Sequence, residues 1–499
     1  MSNTLQRHAE RDEDVGVDYA ARKTSHGAPD SRRWISLTVI ALAQLMVALD
    51  ATIVSIALPS AQSALQVTAA ERQWVITAYT LAFGGLLLLG GRVGDQFGRK
   101  RTFLVGLAGF AVASAVGGSA PDFGVLIGAR ALQGAFAALL TPTALSLLAV
   151  TFTKPRERAT AFAVYGGIAG SGAALGLLLG GVLTQYLSWR WCLFVNLPIA
   201  GIAAIGGWIV LADARAPSAR RLDIAGAVLA TAGLVALVFA CTQAVSQGWG
   251  SPTVIGILVA SGILLTLFVA WQRRAANPLL PLGILADRNR GGSYLAVMLT
   301  IAGMFGAFLF LTYYMQVVLG YSPLTAGLAF LPLTLASQLG SWAIARQLMP
   351  RVPARVLMVP GLLVAASGMA ILTQIQVGSS FLSHIFPAEV LLGVGIACVM
   401  VPAFSTGTLG VDPREAGVAA ATVNTASQIG ASIGTALLNT IAASATAAYF
   451  ATQRLGSIAR AEGLVHGYSV ATEWGTAILI LAAVVVAVMV NAAKPTEQS

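Results

Sequence analysis

Fourteen apolar runs, each long enough to cross a bilayer, leave this chain few choices of fold. They recur at roughly 34–58, 74–91, 102–120, 123–150, 159–184, 190–211, 223–243 and 253–271, and then at roughly 291–319, 324–348, 354–376, 383–409, 416–448 and 472–492. About 20 apolar residues make a spanning helix. In lipid the backbone must satisfy its own hydrogen bonds, which favours helices over open strands. No soluble core needs a chain that is 57% hydrophobic and 10% charged. The 53 glycines suit close packing between membrane helices. The expected class is an all-α membrane protein with fourteen transmembrane helices.

An even number of spans puts both termini on one side, and the basic residues choose it. Alternate loops, among them "GRVGDQFGRKR", "TKPRER", "ARAPSARR" and "RQLMPRVPAR", together with the two tails hold about 25 of the 30 Lys and Arg. The opposite loops hold Arg72, Arg190, Arg454 and Arg460, and Arg130 lies inside a span. Basic loops stay in the cytoplasm, so the net charge of +10 is a topology signal and not a nucleic-acid footprint. Residues 1–33 are polar, lack a cleavable signal pattern and read as a disordered cytoplasmic tail. The cysteines Cys192, Cys241 and Cys398 fall in apolar runs and read as free thiols.

Two stretches of the chain echo two others at nearly one offset. "GGRVGDQFGRKRTFLVGLAG" (90–109) parallels "AIARQLMPRVPARVLMVPGLL" (343–363), and "TKPRERATAFA" (153–163) parallels "VDPREAGVAAA" (411–421). A shared offset indicates a duplicated six-helix unit, an architecture in which transporters place a site at the repeat interface. The expected organisation is a tail at 1–33, a first six-helix half at 34–211, a linker with two inserted helices at 212–275, a second half at 276–492 and a tail at 493–499.

Seven motifs in order give the chain a family likeness. "LDATIVSIALP" (49–59), "GRVGDQFGRKR" (91–101), "RALQG" (130–134), "GSGAALGLLLGG" (170–181), "SWRWCLFVNLP" (188–198), "GYSPLTAGLAFLP" (320–332) and "AGVAAATVNTASQIGASIG" (416–434) run through nearly all of 34–492. The chain resembles the major facilitator superfamily, in its fourteen-helix drug:proton antiporter branch. The resemblance implies export of drugs or other organic compounds in exchange for protons. One position departs from the pattern: the fifth-span motif usually has a proline after its central glycine, and here Leu177 follows Gly176. Gly172, Gly176, Gly180 and Gly181 remain, so close packing is expected to persist without the proline's kink.

Against that background the embedded charges take on roles. Asp50 lies about sixteen residues into its apolar run, where a charge costs about 2.5–3.5 kcal/mol. A buried acid favours its neutral form and a nearby guanidinium its charged form, which makes Asp50 the leading candidate for proton coupling, and the resemblance implies that Arg130 assists proton movement to or from it. A carboxylate or ion pair of purely structural use is the plain alternative. Glu389 is a second candidate acid, nearer a span end, where a wet, solubilising position competes with a coupling role. In the signature loop Gly91, Gly94 and Gly98 permit tight turning, and Asp95 is placed to accept from Arg99, Lys100 or a helix amino terminus. The resemblance implies that this cluster is a conformational latch. Gln44, Asn424 and Gln428, with Tyr313 or Tyr314 from the aromatic run at 305–316, are candidate substrate-cavity residues.

Enzyme chemistry finds no support. His8, His26, His384 and His466 show no metal-ligand spacing, and no "GxxxxGK[ST]" phosphate loop occurs. No metal or cofactor is expected, and the energy source is an ion gradient, here protons. The expected partners are a small-molecule substrate, protons and the lipid bilayer, with no nucleic acid and no obligatory protein partner. The reading is a bacterial inner-membrane exporter with both termini cytoplasmic, working by alternating access and conferring resistance. Alternatives are a dedicated exporter of a self-made metabolite or lipid, an importer, and a non-transporting membrane sensor on the same scaffold.

Overall fold

The computed structural model describes residues 30–68, 71–212, 223–276, 278–280, 282–349, 351–409, 411, 416–452 and 457–491. Of the expected tails at 1–33 and 493–499, residues 1–29 and 493–499 lie outside these residues. The first six-helix half comprises α1 (Asp30–Ala64), α2 (Trp74–Phe97), α3 (Arg99–Gly118), α4 (Phe123–Thr151), α5 (Pro155–Tyr186) and α6 (Trp191–Val210). Two further helices follow, α7 (Ile224–Gln247) and α8 (Pro252–Arg274). The second half comprises α9 (Arg288–Val318), α10 (Pro323–Ala343), α11 (Ala354–Leu372), α12 (Phe381–Thr408), α13 (Ala416–Thr452) and α14 (Ser457–Met489). Helix α1 starts at Asp30, so the last residues of the expected tail are already helical.

Among the described residues, thirteen of these helices are long and apolar enough to cross a membrane. The fourteenth expected span is α5, whose apolar part among the described residues, Ala174–Tyr186, is shorter. Helix α5 runs unbroken through Leu177, the position where a proline would have kinked it.

Local chemistry explains where the helices begin. Asp122, Asp223 and Ser322 accept from the backbone N–H groups of Val125, Gly226 and Thr325 and so cap α4, α7 and α10. Pro155, Pro252 and Pro323 stand in first turns, where no N–H is missed. Between α2 and α3 a single residue, Gly98, turns the chain at φ 98°, a conformation that strains any residue with a Cβ.

Two apolar cores organise the packing. The smaller one draws its buried members from α1 to α6, between Leu37 and Leu211. The larger one fills the second half and crosses into the first at one end only, through residues that include Ile53–Ala61 of α1, Val75 and Ile76 of α2, Leu126 of α4, Leu177 of α5, and Cys192 and Leu193 of α6. That is the end opposite the basic loops. Hydrogen bonds join the halves there as well: Tyr313 donates to Gln62 (2.6 Å), Gln316 to the Ile56 carbonyl (3.0 Å), and Leu324 N–H to Gln185 (3.3 Å).

The inserted pair lies on the seam. Helix α7 contacts α2 and α13 together: Gln73 and Thr242 are hydrogen bonded at 2.8 Å, and Thr440 donates to the Cys241 carbonyl at 2.9 Å. Helix α8 packs on α7, with Ser261 donating to the Gly233 carbonyl at 2.8 Å.

Candidate functional site

Asp50 and Arg130 meet inside the first six-helix half. The Asp50 side chain is 0% exposed and that of Arg130 2%, and Arg130 Nη1 lies 2.5 Å from Asp50 Oδ2. The site is built by five helices, α2 contributing the Val75 carbonyl and the Tyr79 ring. Asp50 comes from α1, Arg130 and Gln133 share one face of α4 three residues apart, Ser114 comes from α3 and Asn196 from α6.

The carboxylate is held by donors on each oxygen. Arg130 serves Oδ2, while Gln133 Nε2 (3.0 Å) and Asn196 Nδ2 (2.8 Å) serve Oδ1. Arg130 is spread over further acceptors, the Val75 carbonyl at 3.0 Å and Gln133 Oε1 at 2.9 Å, and its guanidinium stacks over the Tyr79 ring at 4.4 Å. Ser114 Oγ accepts from Gln133 (2.7 Å) and Asn196 (3.3 Å), which fixes both amides. A carboxylate is acceptor-only, so this array of donors fits the ionised acid. Protonating it would put a proton where a donor already points and would cancel the charge that neutralises Arg130.

Reading the sequence missed Gln133, Asn196, Ser114 and Tyr79. Gln133 and Asn196 were inside motifs that were noted, "RALQG" and "SWRWCLFVNLP". Position three residues after Arg130 could have singled out Gln133, but nothing in chain order marks Asn196, which lies 146 residues from Asp50.

Glu389 sits in the second half, away from that network. It is 0% exposed, so the wet position left open by the sequence is corrected. Among the described residues neither carboxyl oxygen finds a hydrogen bond of normal geometry, and the backbone amide of Leu333 on α10 faces it.

In the signature loop Asp95 pairs with Arg99 at 3.2 Å across one helical turn interrupted by Gly98. Lys100 turns elsewhere, donating to the Trp208 carbonyl at 2.7 Å. Gly91 and Gly94 lie against Pro142 and Thr143 of α4, where a Cβ on Gly94 would stand 2.9 Å from Thr143 Oγ1. Arg92 donates to the Pro278 carbonyl, tying this loop to the linker before α9.

The fifth-span glycines split between two neighbours. Cβ atoms on Gly172, Gly176 and Gly180 would strike Ala48, Thr52 and the Ile53 carbonyl of α1, at 2.6, 2.1 and 2.8 Å. Gly181 instead faces Pro323 and Leu324 of α10 in the other half. Leu177 joins that contact, for its carbonyl lies against Gly327.

The cavity candidates separate. Gln44 is half-buried and accepts from Tyr165 at 2.5 Å. Asn424 is half-buried and donates to its own helix at Ala420, and Gln428 packs its Cβ on Gly84, where α2 crosses α13. Tyr313 and Tyr314 are buried near the end of α9, and the structure gives their hydroxyls to Gln62 and the Gln376 carbonyl, both at 2.6 Å. Arg72, 5% exposed, lies over the Tyr313 ring at 3.7 Å and donates to Asn439 at 3.3 Å. The aromatic run thus supplies the junction between the halves.

Comparison with known proteins follows the same lines. The family model described as Major Facilitator Superfamily matches residues 40–435. The chain is 53% identical over 465 residues to the puromycin resistance protein of Streptomyces alboniger, covering 93% of this chain and 92% of that one. It is 39% identical over 430 residues to the cephamycin export protein of Amycolatopsis lactamdurans, covering 85% and 88%. Among solved structures, a bacterial homolog of the human lysosomal transporter Spinster, inward-facing and occupied, aligns at a TM-score of 0.64 with 15% identity over 93% of this chain and 97% of that one. That last likeness is one of fold.

Proposed function

This chain belongs to the Major Facilitator Superfamily, and from that premise we propose that it exports an antibiotic or a similar organic compound across the bacterial cytoplasmic membrane, driven by protons. The basic loops and both termini face the cytoplasm, so the tight junction of Arg72, Tyr313, Gln62 and Asn439 closes the outer side. No cofactor is needed beyond the proton gradient, since each proton crossing 100 mV supplies about 2.3 kcal/mol.

The observation that carries the coupling is the buried Asp50–Arg130 pair with its two amide donors. With the acid ionised the pair binds α1 to α4 and α6. A proton arriving from outside neutralises Asp50, frees Arg130 to the Val75 carbonyl and the Tyr79 ring, and loosens the packing of α1 on its neighbours. The first half then changes its fit against the second. Discharge of the proton inside restores the pair, and the substrate moves outward on the opposing swing. Gln44, Asn424 and Gln428, half-buried, are our candidates for cavity contacts.

A dedicated exporter that protects a producing organism from its own antibiotic is a second reading, favoured by the two named relatives, one a resistance protein and one an export protein. The test is efflux of a panel of antibiotics and dyes, including puromycin, from a pump-deficient bacterium, comparing wild type, Asp50→Asn and empty vector with and without a protonophore. Export by wild type that the protonophore abolishes and Asp50→Asn lacks is the expected result. Equal export by Asp50→Asn at matched expression would remove Asp50 from the mechanism.

A further inference from the structure

The two embedded acids of this protein live in opposite surroundings. Asp50 receives donors on both oxygens, whereas Glu389, with 0% exposure, has neither oxygen hydrogen bonded among the described residues. The Leu333 amide alone faces it, against the three donors that hold Asp50, so an ionised carboxylate there has little to offset its lost hydration. The cations within its surroundings do not change this. Helix α10 from Leu331 to Ala343 carries no charge, and Arg355 on α11 stands at the basic end. Helix α9 offers Arg288 and Arg290 at its basic end and the tyrosines already engaged, and α13 offers Tyr449. His384, five residues before Glu389, is exposed enough to bond Ser383 at 2.7 Å.

The neighbour that faces Glu389 is also the part that must move. Helix α10 is broken at Phe330, between a short segment Pro323–Ala329 and the helix proper from Leu331. The short segment holds the outer seal against α5, through Gly181 with Leu324, Gly327 with Leu177, and Gln185 with the Leu324 N–H. Just past the break, the backbone of Leu333 faces Glu389 and lies against Gly393 one turn further along α12. An opening that parted α5 from this segment would draw on α10 just ahead of Leu333 and expose the carboxyl beside it to water.

We propose that Glu389 is a second proton-binding site, filled from the outer side, whose occupancy is required for the outer seal to close. The proposal rests on the alternating-access reading above. In the open state the hydrated carboxylate ionises. Closure then transfers one proton from a hydronium ion of the external water to a carboxylate oxygen: one O–H bond of hydronium breaks, one forms on the carboxyl, and a water molecule is left. The site serves the seal and not the substrate, since it lies in the other half from Asp50 and behind the hinge of α10. Low external pH therefore favours closure.

The test uses the full chain in lipid nanodiscs, with Cys192, Cys241 and Cys398 replaced and spin labels at Leu187→Cys and Leu382→Cys. These outer positions are 59% and 75% exposed. Wild type is expected to show a several-fold larger open population, read as a longer distance, at alkaline than at acidic pH. Glu389→Gln, permanently neutral, should hold the short distance throughout. Glu389→Leu, also neutral, gives the same reading should the glutamine variant misfold. A Glu389→Gln protein that opens with pH like wild type overturns the proposal. So does a wild type that exports drug yet shows no pH-dependent distance. A wild type that neither exports nor opens overturns the transport reading together with it.

Discussion

Arg130 Nη1 reaches Asp50 Oδ2 at 2.5 Å and Gln133 Oε1 at 2.9 Å, so one nitrogen ties the acid to the amide that also holds it. Removing either charge strands the other in a site from which water is excluded. Breaking a buried pair from one side costs about 3–5 kcal/mol, whereas removing both members costs much less. Asp50→Asn and Arg130→Gln should each lower the melting temperature of the purified protein more than the double variant does. Additive losses in that cycle would mean that the two residues do not act as a unit.

A second prediction concerns α5. A Cβ on Gly176 would sit 2.1 Å from Thr52 Oγ1 and 3.0 Å from the Leu49 carbonyl, so helix α1 must shift to admit it. Gly176→Ala is expected to destabilise by about 1–3 kcal/mol, the usual cost of overpacking, and to depress efflux. Gly167 on the same helix has open space where a methyl group would stand, with no described residue within 4 Å. Gly167→Ala should be neutral or stabilising by up to about 1 kcal/mol, the gain in helix propensity. Thermal melts of the two variants side by side decide it.

How far the sequence carried these sites depends on the range of the physics involved. Spans follow from local hydrophobicity, and alternating loops reveal their basic residues without any tertiary information. Asp50 and Arg130 stood out singly because each is costly in lipid, yet they are 80 residues apart and their contact depends on how α1 packs on α4. The same holds for Tyr313. Its aromatic run made it a candidate for the substrate cavity, but the register of α9 against α1 gives the ring to Arg72 and the hydroxyl to Gln62. Glu389 was ambiguous because its depth along α12 is readable while the cover supplied by α10 is not. The small face of Gly393, against the Leu333 carbonyl, helps bring α10 over it.

A third prediction tests the outer junction in graded steps. Arg72 contributes a cation–π contact at 3.7 Å and a hydrogen bond to Asn439. Loss of about 1.4 kcal/mol from the closed state, within the range for a desolvated cation–π contact, is roughly tenfold in the open population. Maleimide labelling of Ser432→Cys, whose residue is buried against Thr80 at 2.7 Å, should therefore quicken about tenfold in Arg72→Ala. Tyr313→Phe keeps the ring and loses only the bond to Gln62, so its effect should be smaller. Equal labelling in all three proteins would place the seal elsewhere.

The last prediction follows the linker. Asp223 caps α7 through the Gly226 N–H (2.9 Å) and also accepts from Trp271 Nε1 and Gln272 Nε2, each at 2.7 Å, and from the Leu279 N–H at 3.4 Å. It thereby gathers the start of α7, the end of α8 and the chain leading to α9. Burial pushes its carboxyl up, but these four donors together outweigh burial and hold it below the ordinary carboxylate range. A group whose folded value is depressed contributes stability that is present above its unfolded value, about 4, and is lost as pH falls through the folded one. Asp223→Asn should therefore cost about 2 kcal/mol near neutral pH, the scale of hydrogen bonds to a charged group. Melting curves of wild type and variant should run parallel above about pH 5 and converge below about pH 4, where wild type loses its charge as well. The Pro278 carbonyl that receives Arg92 lies next to Leu279 in this knot, so the variant should also loosen the signature loop, seen as faster amide exchange across Gly91–Arg101. Convergence at alkaline pH, or an unchanged exchange rate with a lowered melting temperature, would separate the linker from the loop.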